Sequence, residues 1–366
     1  MLLSKLLVAL TFLTLVASGR RKATHHAAEF DDIRAAVRNG TLAAAYLAIV
    51  PDSDLREGPK QANIAATPSA SVAKDDGQLL NMILYSAAAY SDSDELAYWA
   101  CGEYCNTDPM VNATRVVTTW DIIYPTSSGY LAVNDALENI IIAFRGTAID
   151  LSVLIDLQFE LKGLSEFIGS VPSSYAGAQV HSGFGQAFQA SRPRHYDRLR
   201  DLMSQHPSYK VYITGHSFGA AQAALCALDL GNTLKQNGQV DQLSRVTVYT
   251  YGEPRVGNQE FEDFYTSVGV ETYRVVNQKD IVPAVPPRFL EYVHHKKRYW
   301  MAEDGTGGYV IKLCDAAETN GEDSVCFGDV GLLTNNNIDD HRSDNYIMVI
   351  KGLGKTAGGY IAEVYK

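Results

Sequence analysis

From about Asp76 onward the chain alternates short apolar runs with stretches of helical periodicity, and this alternation restricts its fold more than any other feature. Asn139-Ile-Ile-Ile-Ala-Phe144 is continuously apolar after its first residue, the pattern of a strand buried on both faces. Residues 210–214, 245–250 and 272–276 supply three more strands. Residues 78–90, 183–206, 218–235 and 258–267 carry helical spacing, with a bend expected at Pro193 and a stop near Asn237-Gly238. A hairpin-like pair, 293–301 and 309–313, follows, with Asp304-Gly305 between its arms. Strands separated by helices build βαβ units. The expected fold class is therefore α/β: one catalytic domain with a largely parallel central sheet flanked by helices.

The 366 residues, 46% hydrophobic and 20% charged, suit a large buried core and exclude wholesale disorder. Acidic residues outnumber basic ones by 42 to 31, a formal net charge of −11. A nucleic-acid binder needs a basic footprint, so no nucleic-acid partner is expected. The same balance argues against attraction to anionic membranes by charge, and leaves a neutral lipid or ester substrate open.

The N-terminus carries Lys5, the apolar run Leu6 to Val16, and then Ala17-Ser18-Gly19. That order describes a secretory signal over residues 1–19, and the run is too short for a membrane span of ~20 residues. No other stretch is apolar enough to cross a bilayer, so no transmembrane anchor is expected after signal cleavage. Residues 20–77 open on Arg20-Arg21-Lys22 and read either as a propeptide or as a flexible arm; the catalytic domain is placed at 78–366. In a secreted chain the five cysteines are disulfide candidates. Local pairing, Cys101 with Cys105 and Cys314 with Cys326, is the simplest assignment. It leaves Cys226 as a buried free thiol in a small-residue helix. Asn39 and Asn112 head glycosylation sequons. No metal site is expected from these spacings.

Gly215-His216-Ser217-Phe218-Gly219 fits G-x-S-x-G and lies between the strand 210–214 and the helix from Phe218. In that context the glycines permit a sharp turn that presents the serine hydroxyl at the sheet end, beside a helix N-terminus. Together with Phe144-Arg-Gly-Thr147, Val180-His-Ser-Gly-Phe184, Tyr251-Gly-Glu-Pro-Arg-Val-Gly257, Lys279-Asp-Ile-Val-Pro283 and Asp340-His341, this segment resembles the class 3, fungal-type triacylglycerol lipases. The likeness runs in the family's order over about residues 78–350 and is most like its secreted yeast members. Two departures stand out. The family's usual Leu-Gly-Gly is Phe218-Gly219-Ala220 here, and Val153 aligns where an aromatic is usual. The resemblance implies an α/β-hydrolase fold with a short helical lid.

Serine needs a base, and the base an orienting carboxylate, in the chain order Ser, Asp, His for such folds. Asp280 follows the strand 272–276 after a short polar turn, and the family motif Lys-Asp-Ile-Val-Pro selects it. Of the histidines after it, His294 and His295 adjoin Lys296, Lys297 and Arg298 and read as a solvated basic face. That leaves His341, which matches the family's Asp-His followed by an aromatic, here Tyr346. Ser217, Asp280 and His341 are the expected catalytic residues. His181 and His216 are read as structural, each pinning a turn. The oxyanion donors are expected at Phe218, the residue after the nucleophile, and at Thr147, where the family places its second donor; Arg145 is read as an ion-pair residue fixing that loop.

Residues 148–161 are strongly apolar through Ile149, Leu151, Val153, Leu154, Ile155, Leu157 and Phe159, and follow the oxyanion loop where the family carries its lid. An apolar helical stripe also fits a core helix. As a lid it favours long-chain acylglycerols at an oil–water interface. The alternatives are a feruloyl or acetyl esterase, a phospholipase, or an inactive lipid-binding protein on the same scaffold. This chemistry needs no cofactor. A monomer is expected.

Overall fold

The computed structural model describes residues 76–147, 159–286, 288–295, 298–303, 308–314, 338–353 and 363–365. The expected signal, the arm up to residue 75, Asn39, Cys326 and the lid positions Ile149, Leu151, Val153, Leu154, Ile155 and Leu157 lie outside them.

Among the described residues, nine strands form one sheet in the order β1-β2-β3-β6-β7-β8-β9-β10-β11. They are β1 (Arg115–Ile122), β2 (Ser127–Asn134), β3 (Asn139–Phe144), β6 (Lys210–His216), β7 (Val246–Tyr251), β8 (Glu271–Asn277), β9 (Arg298–Glu303), β10 (Tyr309–Cys314) and β11 (Glu363–Tyr365). The pairs from β3 through β9 are parallel. Antiparallel pairs flank them, β1-β2-β3 on one side and β9-β10 on the other. A separate small ribbon pairs β4 (Leu161–Gly163) with β5 (Gln179–His181). The β1–β2 hairpin was not legible from strand–helix alternation, because its arms are joined by a turn and not by a helix.

The apolar run of β3 explains the layering. Ile140, Ile142 and Phe144 join one hydrophobic cluster, whereas Ile141 and Ala143 join a second on the opposite face, as the two-residue period of a strand requires. Helices α2 (Ser182–Gln205) and α3 (Phe218–Gln236) cover the first face; α1 (Asp76–Ala88) and α5 (Ser343–Gly352) cover the second. Helix α4 (Gln259–Val268) sits on the first face beside α3. Ala220, Ala221, Ala223 and Ala224 of α3 are all fully buried, and such short side chains let this helix lie close on the sheet. Helix α2 continues through Pro193 as one helix. Its start is capped by His181, whose Nδ1 accepts from the Gly183 and Phe184 amides.

Cys101 and Cys105 form a disulfide around a single short helix, and Cys226 is a buried free thiol in α3. Cys314 ends β10. Asn112 is exposed at the end of the short helix Pro109–Asn112. Among the described residues no helix is long and apolar enough to cross a membrane.

Candidate active site

Strand β6 and helix α3 meet at Ser217, which takes φ +60° and ψ −130°. A side-chain-bearing residue held there costs about 1–3 kcal/mol and persists only when its surroundings over-determine it. They do: the Ser217 amide donates to Tyr251 O at 2.9 Å, and the Ala220 amide donates to Ser217 O at 2.9 Å. The glycines of the motif serve as clearance. A Cβ on Gly215 would overlap the Gly219 carbonyl, and one on Gly219 would overlap the backbone of Phe144 and Arg145. The sequence reading assigned the strained turn to the glycines; the structure puts the positive φ on the serine itself.

Parallel pairing aligns the ends of β3, β6, β7 and β8, so the loops after them converge. Phe144 pairs with Gly215, and Tyr251 pairs with both His216 and Val275. Asp280 follows β8 and is buried, with 1% of its surface exposed. Its Oδ1 accepts from the Val282 amide at 2.9 Å, and its Oδ2 accepts from the Tyr346 hydroxyl at 2.7 Å. His341 Nδ1 lies 3.0 Å from Oδ1 and 2.9 Å from Oδ2. Burial alone would raise the Asp280 carboxyl; the adjacent His341 and the hydrogen bonds from His341, Tyr346 and Val282 outweigh it and hold the group below the usual carboxylate range. An ionised Asp280 can only accept, so Nδ1 of His341 carries the proton and Nε2 is left as the basic nitrogen.

The loop bearing His341 is fastened to the end of β8. Asn277 Nδ2 donates to Asp340 O at 3.0 Å, the Lys279 amide donates to Asp340 Oδ2 at 3.1 Å, and the Tyr346 hydroxyl accepts from the Asn277 amide at 3.0 Å. Gly252 is the other requirement. It has φ +58°, and a Cβ there would strike the Asp280 carboxylate and the His341 ring.

His216 forms a second clamp. Its Nε2 lies 2.6 Å from the carbonyl oxygen of His341, its Nδ1 lies 2.7 Å from the Tyr90 hydroxyl, and its ring stacks on that of His341 with centroids 4.6 Å apart. Burial pushes His216 down to about 3, and the neighbouring His341 adds to the shift. A carbonyl can only accept, so neutral His216 donates from Nε2 and accepts from Tyr90 at Nδ1. Gly146 lies against the Tyr90 hydroxyl, where a Cβ would overlap it. Hydrogen bonds therefore join Tyr90, the residue before Ser217 and the loop carrying His341.

Thr147, half-buried, stands just beyond Gly146 at the same sheet end. Phe218 is the first residue of α3 and packs edge-on against Phe184 at 5.4 Å. Arg145 pairs with Asp121 at 3.8 Å. Phe159, the one lid position among the described residues, sits 6.2 Å from the His181 ring. The expectation that His294 and His295 form a solvated basic face is overturned. Both are 1% exposed. His294 bonds Pro283 O at 2.7 Å, and His295 pairs with buried Glu253 at 2.6 Å. Partners distant in sequence outweigh the charges next to them.

A family model for class 3 lipases matches residues 141–290, which contain Ser217, Asp280 and most of β3. The chain is 32% identical to a lipase of Rhizomucor miehei over 257 residues, covering 65% of this chain and 66% of that protein. It belongs to the class 3 lipase family. This class 3 lipase is also 28% identical to a secreted mono- and diacylglycerol lipase of Penicillium cyclopium over 224 residues, 60% of this chain and 68% of that one. It thus spans about two thirds of the length of these relatives. The crystal structure of the Rhizomucor miehei triacylglyceride lipase superposes with a TM-score of 0.62 at 26% identity, covering 76% of this chain and 95% of that one.

Of the residues around the site, the sequence reading left Tyr90 and Asn277 without a role, and read His216 as a turn-pinning residue. Only the family's aromatic after Asp-His pointed to Tyr346. Each of these acts through a contact that no local pattern announces.

Proposed function

We propose that this class 3 lipase is a secreted serine ester hydrolase that cleaves long-chain triacylglycerols through an acyl-enzyme. The observation that carries the reading is the convergence at one sheet end of a strained, over-determined Ser217 and the buried Asp280–His341 pair, 2.9 Å apart. Ser217 Oγ attacks the ester carbonyl carbon while Nε2 of His341 takes its proton. The resulting oxyanion is held by the N–H of Phe218, at the N-terminus of α3, and by that of Thr147. The tetrahedral intermediate collapses, and Nε2–H protonates the departing alcohol. Water then attacks the acyl-enzyme, with Nε2 again as base, and Ser217 regains its proton as the fatty acid leaves. Asp280 keeps its negative charge throughout and stabilises the imidazolium at each step.

The likeness to the Rhizomucor miehei enzyme supports triacylglycerol as substrate; the likeness to the Penicillium cyclopium enzyme favours a second reading, partial acylglycerols. The test compares emulsified triolein, emulsified monoolein and a soluble short-chain ester, with Ser217→Ala as control. Triolein hydrolysis that vanishes in the variant is the expected result. Cleavage of the soluble ester alone would end the lipase reading, and an active Ser217→Ala protein would end the mechanism.

A further inference from the structure

We propose that the turn between β1 and β2, at Ile123-Tyr124, is an anchor that inserts into the surface of an uncharged lipid phase and holds the Ser217 end of the sheet against it. The inference rests on the functional reading above and assigns the docking element for its substrate surface.

Ile123 and Tyr124 are 89% and 88% exposed, the two most exposed large apolar side chains among the described residues. Strand register fixes where they stand. Phe144 pairs with Gly215 on one side and Gly129 on the other, and Ile122 pairs with Ser127. The turn therefore projects past the same sheet end as Ser217. At ~4.8 Å between neighbouring strands it lies ~10–15 Å to the side of β6, within reach of any flat surface that the serine meets.

The turn is also tied to the reaction centre. Ser127 Oγ donates to Gln222 Oε1 of α3 at 2.6 Å, the Arg145 amide donates to Ser128 O at 2.8 Å, and Arg145 pairs with Asp121. An anchored turn thus fixes the orientation of the oxyanion loop and the nucleophile helix.

Charge and area select the occupant. No charged residue occurs from Ile122 to Val133, and the whole chain carries −11, which disfavours an anionic surface. A tyrosine beside an isoleucine suits a boundary with apolar matter on one side and water on the other. Two such side chains offer about 400 Å² at most, well below the ~1,000 Å² of a stable protein interface but enough to enter a lipid surface.

The test uses the Ser217→Ala protein, so that binding is read without turnover, and phosphatidylcholine vesicles containing triolein. Adding Ile123→Ser and Tyr124→Ser is expected to weaken partitioning at least ten-fold. In the Ser217 protein the same pair should leave kcat/KM on a soluble short-chain ester within two-fold while triolein hydrolysis falls about ten-fold. Tyr124→Trp should show a blue-shifted emission when vesicles are added. Unchanged partitioning, or no emission shift, overturns the proposal. So does a dimer that the double substitution abolishes with vesicle binding intact. Wild-type protein that binds vesicles through this turn yet cleaves no acylglycerol would refute the functional reading and leave the anchor standing.

Discussion

Among the described residues two histidines pair with a buried carboxylate, and their difference separates the dyad we propose as reactive from one held in the packing. His341 meets Asp280 at 2.9 Å and His295 meets Glu253 at 2.6 Å. The two lie close in the chain as well: Gly252 backs onto the first pair, and Glu253 belongs to the second. Asp280 spends both oxygens on donors, whereas Glu253 Oε2 has no hydrogen-bond partner. The His341 side chain keeps 12% of its surface exposed. His295 keeps 1% and is stacked on Tyr265 with centroids 4.4 Å apart. A histidine–carboxylate contact therefore does not by itself mark a catalytic site. What sets the His341 pair apart is a partly exposed ring with its carboxylate fully occupied behind it.

The largest expected effect tests that distinction directly. Asp280→Asn preserves the shape but can stabilise the wrong imidazole tautomer, and kcat on a soluble ester should fall by about 10³–10⁴ per folded molecule. Glu253→Gln should leave turnover nearly intact. It keeps an acceptor for His295 at Oε1 and places its NH2 where Oε2 has no partner, so kcat per folded molecule should stay within a few-fold. If Glu253→Gln instead abolished turnover in a fully folded protein, the two dyads would not be functionally distinct.

A smaller effect is expected at His216. His216→Phe keeps a ring against His341 but removes the donor to the His341 carbonyl and the acceptor for Tyr90. Turnover should fall about ten-fold with KM unchanged, the signature of a mis-set base as opposed to lost substrate binding. Adding Tyr90→Phe removes the hydroxyl left unpaired and should recover stability but not rate. Equal losses in kcat and Tm that Tyr90→Phe reverses together would reduce His216 to a packing residue.

How legible these sites were depends on the reach of each contact. Ser217 stood out because strand, turn and helix are consecutive, so the elbow is a local pattern. The positions of Asp280 and His341 followed from chain order and from the family likeness. The clamps did not show, since Tyr90 meets His216 across 126 residues, Tyr346 meets Asp280 across 66, and Asn277 meets Asp340 across 63. His295 was misread for the same reason. The adjacent Lys296, Lys297 and Arg298 suggested solvent, while the partner that decides its burial is 42 residues away. The parallel strands were visible because both of their faces are apolar. The β1–β2 hairpin was not, because β1 alternates weakly and most of its residues are only half-buried.

A third imidazole extends the comparison to a histidine with no carboxylate at all. His195 of α2 is fully buried, neither ring nitrogen has a hydrogen-bond partner, and it packs against Trp120 at 4.8 Å and Phe144 at 5.3 Å. Burial pushes it down to about 3, with Arg192 adding to the shift. Its unfolded value is near 6.5. The folded value is thus depressed: as pH falls below about 6.5 the unfolded chain takes up a proton that the folded chain refuses. Stability is then lost at about 1.4 kcal/mol per pH unit until the pH nears the folded value. His181 and His216, lowered to about 4 and about 3, add to the same acid limb. His195→Phe fills the site with a ring that needs no partner and removes one such contribution. Denaturant unfolding at pH 7 and pH 5 should show a variant at least as stable as wild type at pH 7, with a pH slope shallower by about 1.4 kcal/mol per unit and an unaltered kcat. An unchanged slope would mean that His195 keeps its proton count on unfolding, and the third imidazole would then have a partner after all.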